Sequence, residues 1–247
     1  MSVSTRGQVG LKGRRSCLLP HERAAALKRL PILSGLSDDS LEGVAQSCTW
    51  RRYEMGEQIV GYQDRSTDVL FLLSGKARVI IYSSKGKAVV FVDLKPPTMF
   101  GEIAAIDRSF RSASIEALER CSIASLPADA FEQLMLREPS VAVATLRHVA
   151  ADLRRLSERV LEFSTLVVQN RIHAELLRLA GTQGGEVVLS PAPSLSDIAS
   201  RISTHREAVS RELSRLTGIG LLRREGRDLR ITDVAKLVEF VNEAKGE

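Results

Sequence analysis

Thr204-His205-Arg206-Glu207-Ala208-Val209-Ser210-Arg211-Glu212-Leu213 is the stretch on which the reading of this chain turns. On a helix, at about 100° per residue, Arg206, Glu207, Ser210 and Arg211 share one face. Val209, Leu213 and Leu216 take much of the other. Just upstream, Leu195 to Ser203 carries Ile198, Ala199 and Ile202 at helical spacing, with Ala199 small where two helices would cross and Ser203 where a turn is needed. The pattern predicts a helix-turn-helix whose second helix enters a major groove. There the guanidinium forks of Arg206 and Arg211 suit guanine O6 and N7, and the Glu207 carboxylate accepts from cytosine N4. The same face also fits a plain solvated surface on which Glu207 and Arg211 form an i, i+4 pair.

The flanks favour the first reading. Residues 218–231 read as strand, Gly-containing turn, strand, which adds a wing with Arg223, Arg224, Arg227 and Arg230 available to phosphates. Residues 170–247 are therefore expected to form a winged helix-turn-helix, with a short helix between Asn170 and Gly181 and a turn-rich hairpin from Gly184 to Pro193. Before it, residues 141–168 lack Gly and Pro. Leu146, Val149, Leu153, Leu156, Val160, Phe163 and Val167 recur there at alternating steps of three and four. A seam that narrow, flanked by Arg154, Arg155, Glu158 and Arg159, predicts a dimerisation helix over 139–169 and a parallel homodimer. A helix packed on its own sheet would carry a wider stripe.

Between Trp50 and Pro127 the period changes to short apolar runs, such as Val69 to Leu73 and Ala77 to Tyr82, separated by Gly56, Gly61, Ser74-Gly75 and Ser83 to Gly86. This predicts an antiparallel β-barrel or sandwich of roughly eight strands in a domain over 20–138. Short helices are expected at Pro20 to Leu30 and at 38–48, the second capped by Asp38, Asp39 or Ser40. Residues 1–19, with Arg6, Lys12, Arg14 and Arg15, are expected to be a disordered basic extension. The fold class is α+β: an N-terminal antiparallel β-barrel, a long helix and a C-terminal winged helix-turn-helix.

Composition narrows the function classes. A net charge of +5 and a pI of about 9.3 suit an anionic partner. Cys17, Cys48 and Cys121 are odd in number and far apart, which argues for a reducing compartment over a disulfide framework. There is no apolar run of about eighteen residues and no secretory leader, so a cytoplasmic protein without a membrane span is expected. No Ser/His/Asp order, metal-ligand cluster or Walker loop is present, so the chain is not expected to be an enzyme.

A second site lies in Phe100 to Ser114, where the helical-looking turn Glu102 to Ile106 interrupts the strands and Arg111-Ser112-Ala113 follows. Binding a cyclic phosphate calls for backbone N–H groups at a short helix N-terminus, here the start of the Glu102 to Ile106 turn. It also calls for a guanidinium (Arg111), a hydroxyl (Ser112) and a carboxylate for a ribose hydroxyl (Glu102). A surface ion pair between Glu102 and Arg111 uses the same residues, and on chemistry alone the two readings stand level.

From about Leu33 to Ile231 the chain resembles the CRP/FNR superfamily of bacterial transcription regulators, on the strength of Gly101-Glu102, Arg111-Ser112-Ala113 and His205 to Arg211 in that order around a long helix. The resemblance implies a jelly-roll domain binding cyclic AMP, or cyclic GMP, as allosteric ligand. Glu102 would lie on the ribose, Arg111 and Ser112 on the cyclic phosphate, and the 102–104 backbone and Ala113 beside it. It implies a homodimer reading palindromic double-stranded DNA with TGTGA-type half-sites through Arg206, Glu207 and Arg211, with Ser203, Thr204, His205 and Ser210 beside them, and RNA polymerase as a further partner. Where the family sets adjacent Thr and Ser against the adenine, this chain has Leu156-Ser157, which leaves the base open. Ser203 stands where Gly is usual. The lone Cys17 does not provide an iron–sulfur cluster, and His21, His148 and His173 form no haem-ligating pattern, so neither group nor a metal is expected. A constitutive DNA binder without a ligand, or a nucleotide-responsive module acting on a protein partner, are the alternatives.

Overall fold

The structure, a computed structural model, describes residues 14–15, 19–82, 88–183 and 186–245. The chain divides into two compact units, residues 1–81 with 90–150, and residues 82–89 with 151–247. The first unit holds β1 (Arg14–Arg15), α1 (Pro20–Lys28), α2 (Asp38–Ser47), β2 (Thr49–Tyr53), β3 (Gln58–Val60), β4 (Val69–Ser74), β5 (Ala77–Tyr82), β6 (Ala88–Leu94), β7 (Thr98–Phe100), α3 (Glu102–Asp107), β8 (Ser114–Ala117), β9 (Cys121–Leu126) and α4 (Ala128–Arg137). It also holds the start of α5 (Pro139–Thr165).

The expected barrel is not closed. Its strands form two sheets of a roll, ordered β1-β2-β9-β4-β7 and β3-β8-β5-β6. β4 explains the arrangement. Leu70 and Leu72 point into the core between the sheets, with Tyr53, Phe100, Ile115 and Ile123. Val69, Phe71 and Leu73 alternate onto the other face, where Leu27, Leu30, Leu33 and Phe131 of the helical layer cover them. A strand buried on both faces must be apolar without interruption, and Val69 to Leu73 is.

Local differences from expectation have local causes. Ser37, not Asp38, Asp39 or Ser40, caps α2, its hydroxyl accepting from the Ser40 N–H at 3.2 Å. α4 was not anticipated; its buried Phe131 and Leu134 join the helical layer. Arg14–Arg15 pairs antiparallel with Arg51–Arg52 as an edge strand, where disordered chain was expected. Main-chain pairing needs no apolar alternation, so no pattern announced it. Leu19 is the extended N-cap of α1, and residues 1–13 and 16–18 of that extension lie outside the described residues.

α5 ends at Thr165, earlier than the apolar repeat suggested, because Leu166 turns inward and Val167 is extended (φ −66°, ψ 160°) as the N-cap of α6 (Val168–Leu179). Leu146, Leu153, Leu156 and Val160 stand exposed along α5, while Phe163 leaves the stripe to pack on the core of the second unit. That unit continues with β10 (Gly181–Gln183), β11 (Glu186–Leu189), α7 (Leu195–Arg201), α8 (Arg206–Gly218), β12 (Leu222–Glu225), β13 (Asp228–Ile231) and α9 (Val234–Lys245). Its sheet is ordered β10-β11-β13-β12, so the hairpin spans 181–189, ahead of the expected 184–193, and the wing is tied into four strands. Ile172, Leu176, Ile198, Ile202, Val209, Leu216 and Leu237 form its core.

Cys48 and Cys121 are free and buried; burial pushes the Cys48 thiol up to about 12 and raises that of Cys121. Among the described residues no helix is long and apolar enough to cross a membrane.

Candidate ligand pocket and nucleic-acid interface

The candidate ligand site is organised around Arg111, which is 3% exposed. Its Nη1 donates to the Gly101 carbonyl at 2.9 Å, Nη2 to the Asp68 carbonyl at 2.7 Å and Nε to Ser66 Oγ at 3.0 Å. Its main chain is clamped as well: Gln63 N–H donates to the Arg111 carbonyl at 2.9 Å, and Arg111 N–H to the Asp64 carbonyl at 3.0 Å. Burial lowers its pKa, opposed by the charges of Asp68, Asp64 and Glu102. A guanidinium has five N–H donors, so bonds from three nitrogens to protein leave donors for an anion. A surface ion pair does not describe this side chain.

Gly101 has φ +78° as the N-cap of α3. A Cβ there would lie 2.5 Å from Arg111 Nη1 and 3.1 Å from Leu70 Cδ1, so both conformation and space require glycine. The next residue, Glu102, is buried, and its carboxylate comes within 4.8 Å of a ring nitrogen of His148 on α5. Ala104 is buried, Ala113 half-buried, and Ile103 and Ser112 exposed. The structure therefore brings Gly101, Glu102 and Arg111 together. Ser66, Asp64, Asp68 and His148 were missed, because the sequence around them carries no motif. Leu156 and Ser157 belong to the second unit; Leu156 is exposed, and the Ser157 hydroxyl donates to the Leu153 carbonyl of its own helix at 2.9 Å.

In the second unit Ser194 caps α7, accepting from Asp197 N–H at 3.0 Å. Ser203 is left-handed (φ 53°), and Thr204 N–H closes the turn onto the Ala199 carbonyl at 3.0 Å. α8 begins at Arg206 with His205 as N-cap, and presents Arg206, Glu207 and Arg211 to solvent, with Ser210 half-buried. Glu207 pairs with Arg206 at 3.5 Å and not with Arg211; both side chains are 71% exposed, so the pair contributes little.

Glu212, within the same stretch, faces inward. It is 3% exposed, bonded to His173 Nε2 at 2.6 Å and to Arg215 at 2.7 Å. Burial lowers the His173 pKa despite the neighbouring carboxylate, and toward that carboxylate, which can only accept, Nε2–H is the donor. Burial alone would raise Glu212, but hydrogen bonds from Arg215 and His173 outweigh it and hold that carboxyl low. On the wing, Arg223, Arg224 and Arg227 are exposed. Arg230 is not available to phosphates as expected: it is held by Glu186 at 2.5 Å and Glu225 at 2.7 Å.

A cyclic nucleotide-binding domain matches residues 50–138, and a Crp-like helix-turn-helix domain matches residues 170–240. The cyclic AMP receptor protein of Thermus thermophilus is 30% identical over 220 residues, covering 87% of this chain and 98% of the relative. The chain belongs to the CRP/FNR family of transcription regulators. Another member, a CRP-like cAMP-activated global transcriptional regulator of Mycobacterium tuberculosis, is 24% identical over 215 residues, covering 85% of this chain and 96% of the relative. The fold is shared with a CooA variant of Carboxydothermus hydrogenoformans at a TM-score of 0.72 and 19% identity, covering 95% of this chain and 99% of that one. Within the family, the braced Arg111 lies in the nucleotide-binding domain and the exposed Arg206-Glu207-Arg211 face in the helix-turn-helix domain.

Proposed function

We propose that this regulator binds DNA as a homodimer under the control of a cyclic nucleotide, cyclic AMP first and cyclic GMP second. The observation that carries the ligand reading is Arg111: a buried guanidinium held on two carbonyls and a hydroxyl, with donors left over, beside the buried carboxylate of Glu102. In this reading Arg111 and Ser112 take the cyclic phosphate, with the 101–104 backbone and Ala113 around it, and Glu102 takes a ribose hydroxyl. The exposed stripe Leu146, Leu153, Leu156 and Val160 supports a second copy along α5, which would set two α8 helices to successive major grooves about 34 Å apart. Arg206, Glu207 and Arg211 read TGTGA-type half-sites, with Ser203, Thr204, His205 and Ser210 nearby. Arg223, Arg224 and Arg227 hold phosphates. Nucleotide binding shifts the population toward the DNA-competent arrangement. RNA polymerase is the further partner and the cytoplasm the place of action.

Fluorescence anisotropy on a TGTGA palindrome, with and without each nucleotide, tests this. Binding at least ten-fold tighter with cyclic AMP, and lost in R111A, is expected. A second reading, a constitutive DNA binder, is favoured by Leu156, which offers a base no hydrogen bond, and by Ser157, whose hydroxyl proton is spent on Leu153. Equal affinity with and without either nucleotide would select it.

A further inference from the structure

Arg159 neighbours the exposed Val160 on α5, yet its own side chain is 13% exposed. Its guanidinium reaches three elements. Nη1 donates to Glu175 on α6 at 2.7 Å and lies 3.5 Å from Glu162 on α5. Nη2 donates at 2.5 Å to the carbonyl of Arg201, the last residue of α7. Its Cζ sits 5.1 Å from the centre of the Phe163 ring. Arg171 of α6 lies 5.5 Å from the same ring and donates to the Ile202 carbonyl at 3.3 Å. The last carbonyls of a helix are orphan acceptors at the negative end of its dipole. On α7 they are met by guanidinium groups from α5 and α6. The next residue is the left-handed Ser203, after which α8 starts.

The surrounding charges balance. Glu175, 1% exposed, also accepts from Arg178 and lies 3.7 Å from Arg201 Nη1. Arg178 grips both Glu162 oxygens at 2.7 Å, and Arg201 Nε bonds Asp197 at 3.2 Å. Among the described residues Arg178 makes no bond to α7, whereas Arg159 does.

We propose that Arg159 is the positioning residue through which α5 sets the helix-turn-helix turn: one guanidinium ties the azimuth of α5 to the end of α7 and so to the start of the reading helix. A hydrogen bond at this distance is lost on a shift of about an ångström, whereas apolar contacts yield gradually. Rotation or sliding of α5 at its apolar stripe therefore moves the turn with it or releases it. This rests on the reading above, in which that stripe is the dimer seam and α8 reads DNA.

The test compares R159M, R159K and R178M in the full-length chain by anisotropy on the TGTGA palindrome, with and without cyclic AMP, from 50 to 200 mM salt, a range chosen because phosphate contacts are exposed by it. R178M removes a partner of the same Glu175 and Glu162 but no bond to α7. R159M is expected to reduce the ratio of nucleotide-bound to free affinity at least ten-fold. R159K, which cannot span Glu175 and the Arg201 carbonyl together, is expected to behave alike, while R178M keeps the ratio of the unchanged protein. The salt slope is expected to stay the same in all three, and a drop by about 1 in R159M would make Arg159 a phosphate contact and overturn the proposal. Equal loss of ratio in R159M and R178M, or full rescue by lysine, would also overturn it. If the unchanged protein ignores cyclic AMP and cyclic GMP alike, the nucleotide-controlled reading fails and not the Arg159 latch. The latch is then judged on DNA affinity alone: at least ten-fold weaker binding by R159M than by R178M supports it, and equal binding overturns it.

Discussion

Arg111 and Arg206 bring the same guanidinium into opposite settings. Arg111 is sealed in the roll by bonds to Gly101, Asp68 and Ser66, and its place is set before any ligand arrives. Arg206 stands 71% exposed on α8, with only the weak pair to Glu207 beside it. The first arrangement stores the ordering cost of binding in the fold, so a small anion meets donors already aimed. On the proposed function, the second leaves side chains free to settle on base edges, with specificity set by the helix that carries them. Substitution should therefore cost folding and binding together at the first site, and binding alone at the second.

The largest effect is expected at Arg111. R111A strands the carbonyls of Gly101 and Asp68 and opens a cavity beside Leu70, which should destabilise the first unit by about 3 kcal/mol. Nucleotide binding in calorimetry should disappear with it. R111K retains the charge without the fork and should recover little of either. An R111A protein with an unchanged thermal unfolding midpoint would break the contrast with α8.

R206A and R211A come next. Each should lose about ten- to a hundred-fold in affinity for the preferred site and relax preference at one base pair, read by titrating single-base variants of the palindrome. Their melting temperatures should match that of the unchanged protein. Loss of affinity spread evenly over all sequences would reduce these side chains to phosphate contacts, like those proposed for Arg223, Arg224 and Arg227.

Glu212 and His173 sharpen the comparison from inside α8. The His173 pKa is below its ordinary 6.5 in the folded chain, so the unfolded chain takes up a proton first as pH falls. Stability of the second unit should therefore be full above about pH 6.5 and decline below it. The Glu212 pKa is below its ordinary 4.5, so its contribution is present above that value and is lost only at more acid pH. Urea unfolding between pH 7 and 5 should show the decline, and H173Q, which keeps a donor for Glu212 without a titrating ring, should flatten it. An identical pH profile in H173Q would place the titrating group elsewhere.

These residues also mark how far the sequence reached. The exposed Arg206-Glu207-Arg211 face of α8 and the two-unit plan follow from periodicity and residue chemistry, both visible one segment at a time. The inward turn of Glu212 does not, since on a bare helix it is one more charge; its burial is met by Arg215 on the same helix and by His173, thirty-nine positions away. The same holds for the braces on Arg111 that come from loop residues 63–68, and for Arg230, whose partners Glu186 and Glu225 depend on the order β11-β13-β12. The uninterrupted apolar run of β4 reveals two buried faces but not whether the strands close into a barrel. That depends on which edges pair, and pairing is long-range.

The smallest effect concerns the turn that aims α8. Ser203 holds φ 53°, a conformation that costs a residue with a Cβ about 1–2 kcal/mol. Glycine removes that cost and gives back about 0.5–1 kcal/mol through the greater freedom of the unfolded chain. S203G should therefore stabilise the second unit by about 0.5 kcal/mol, the difference between these opposed terms. The expected sign is a small rise in the urea midpoint with DNA affinity unchanged, because Thr204 N–H still closes the turn on Ala199. If affinity for the palindrome falls while the midpoint rises, the exposed Ser203 hydroxyl itself touches DNA, and the reading surface extends back from α8 into the turn. If the midpoint falls, left-handed strain is not what serine costs here, and the turn is set by contacts to the hydroxyl.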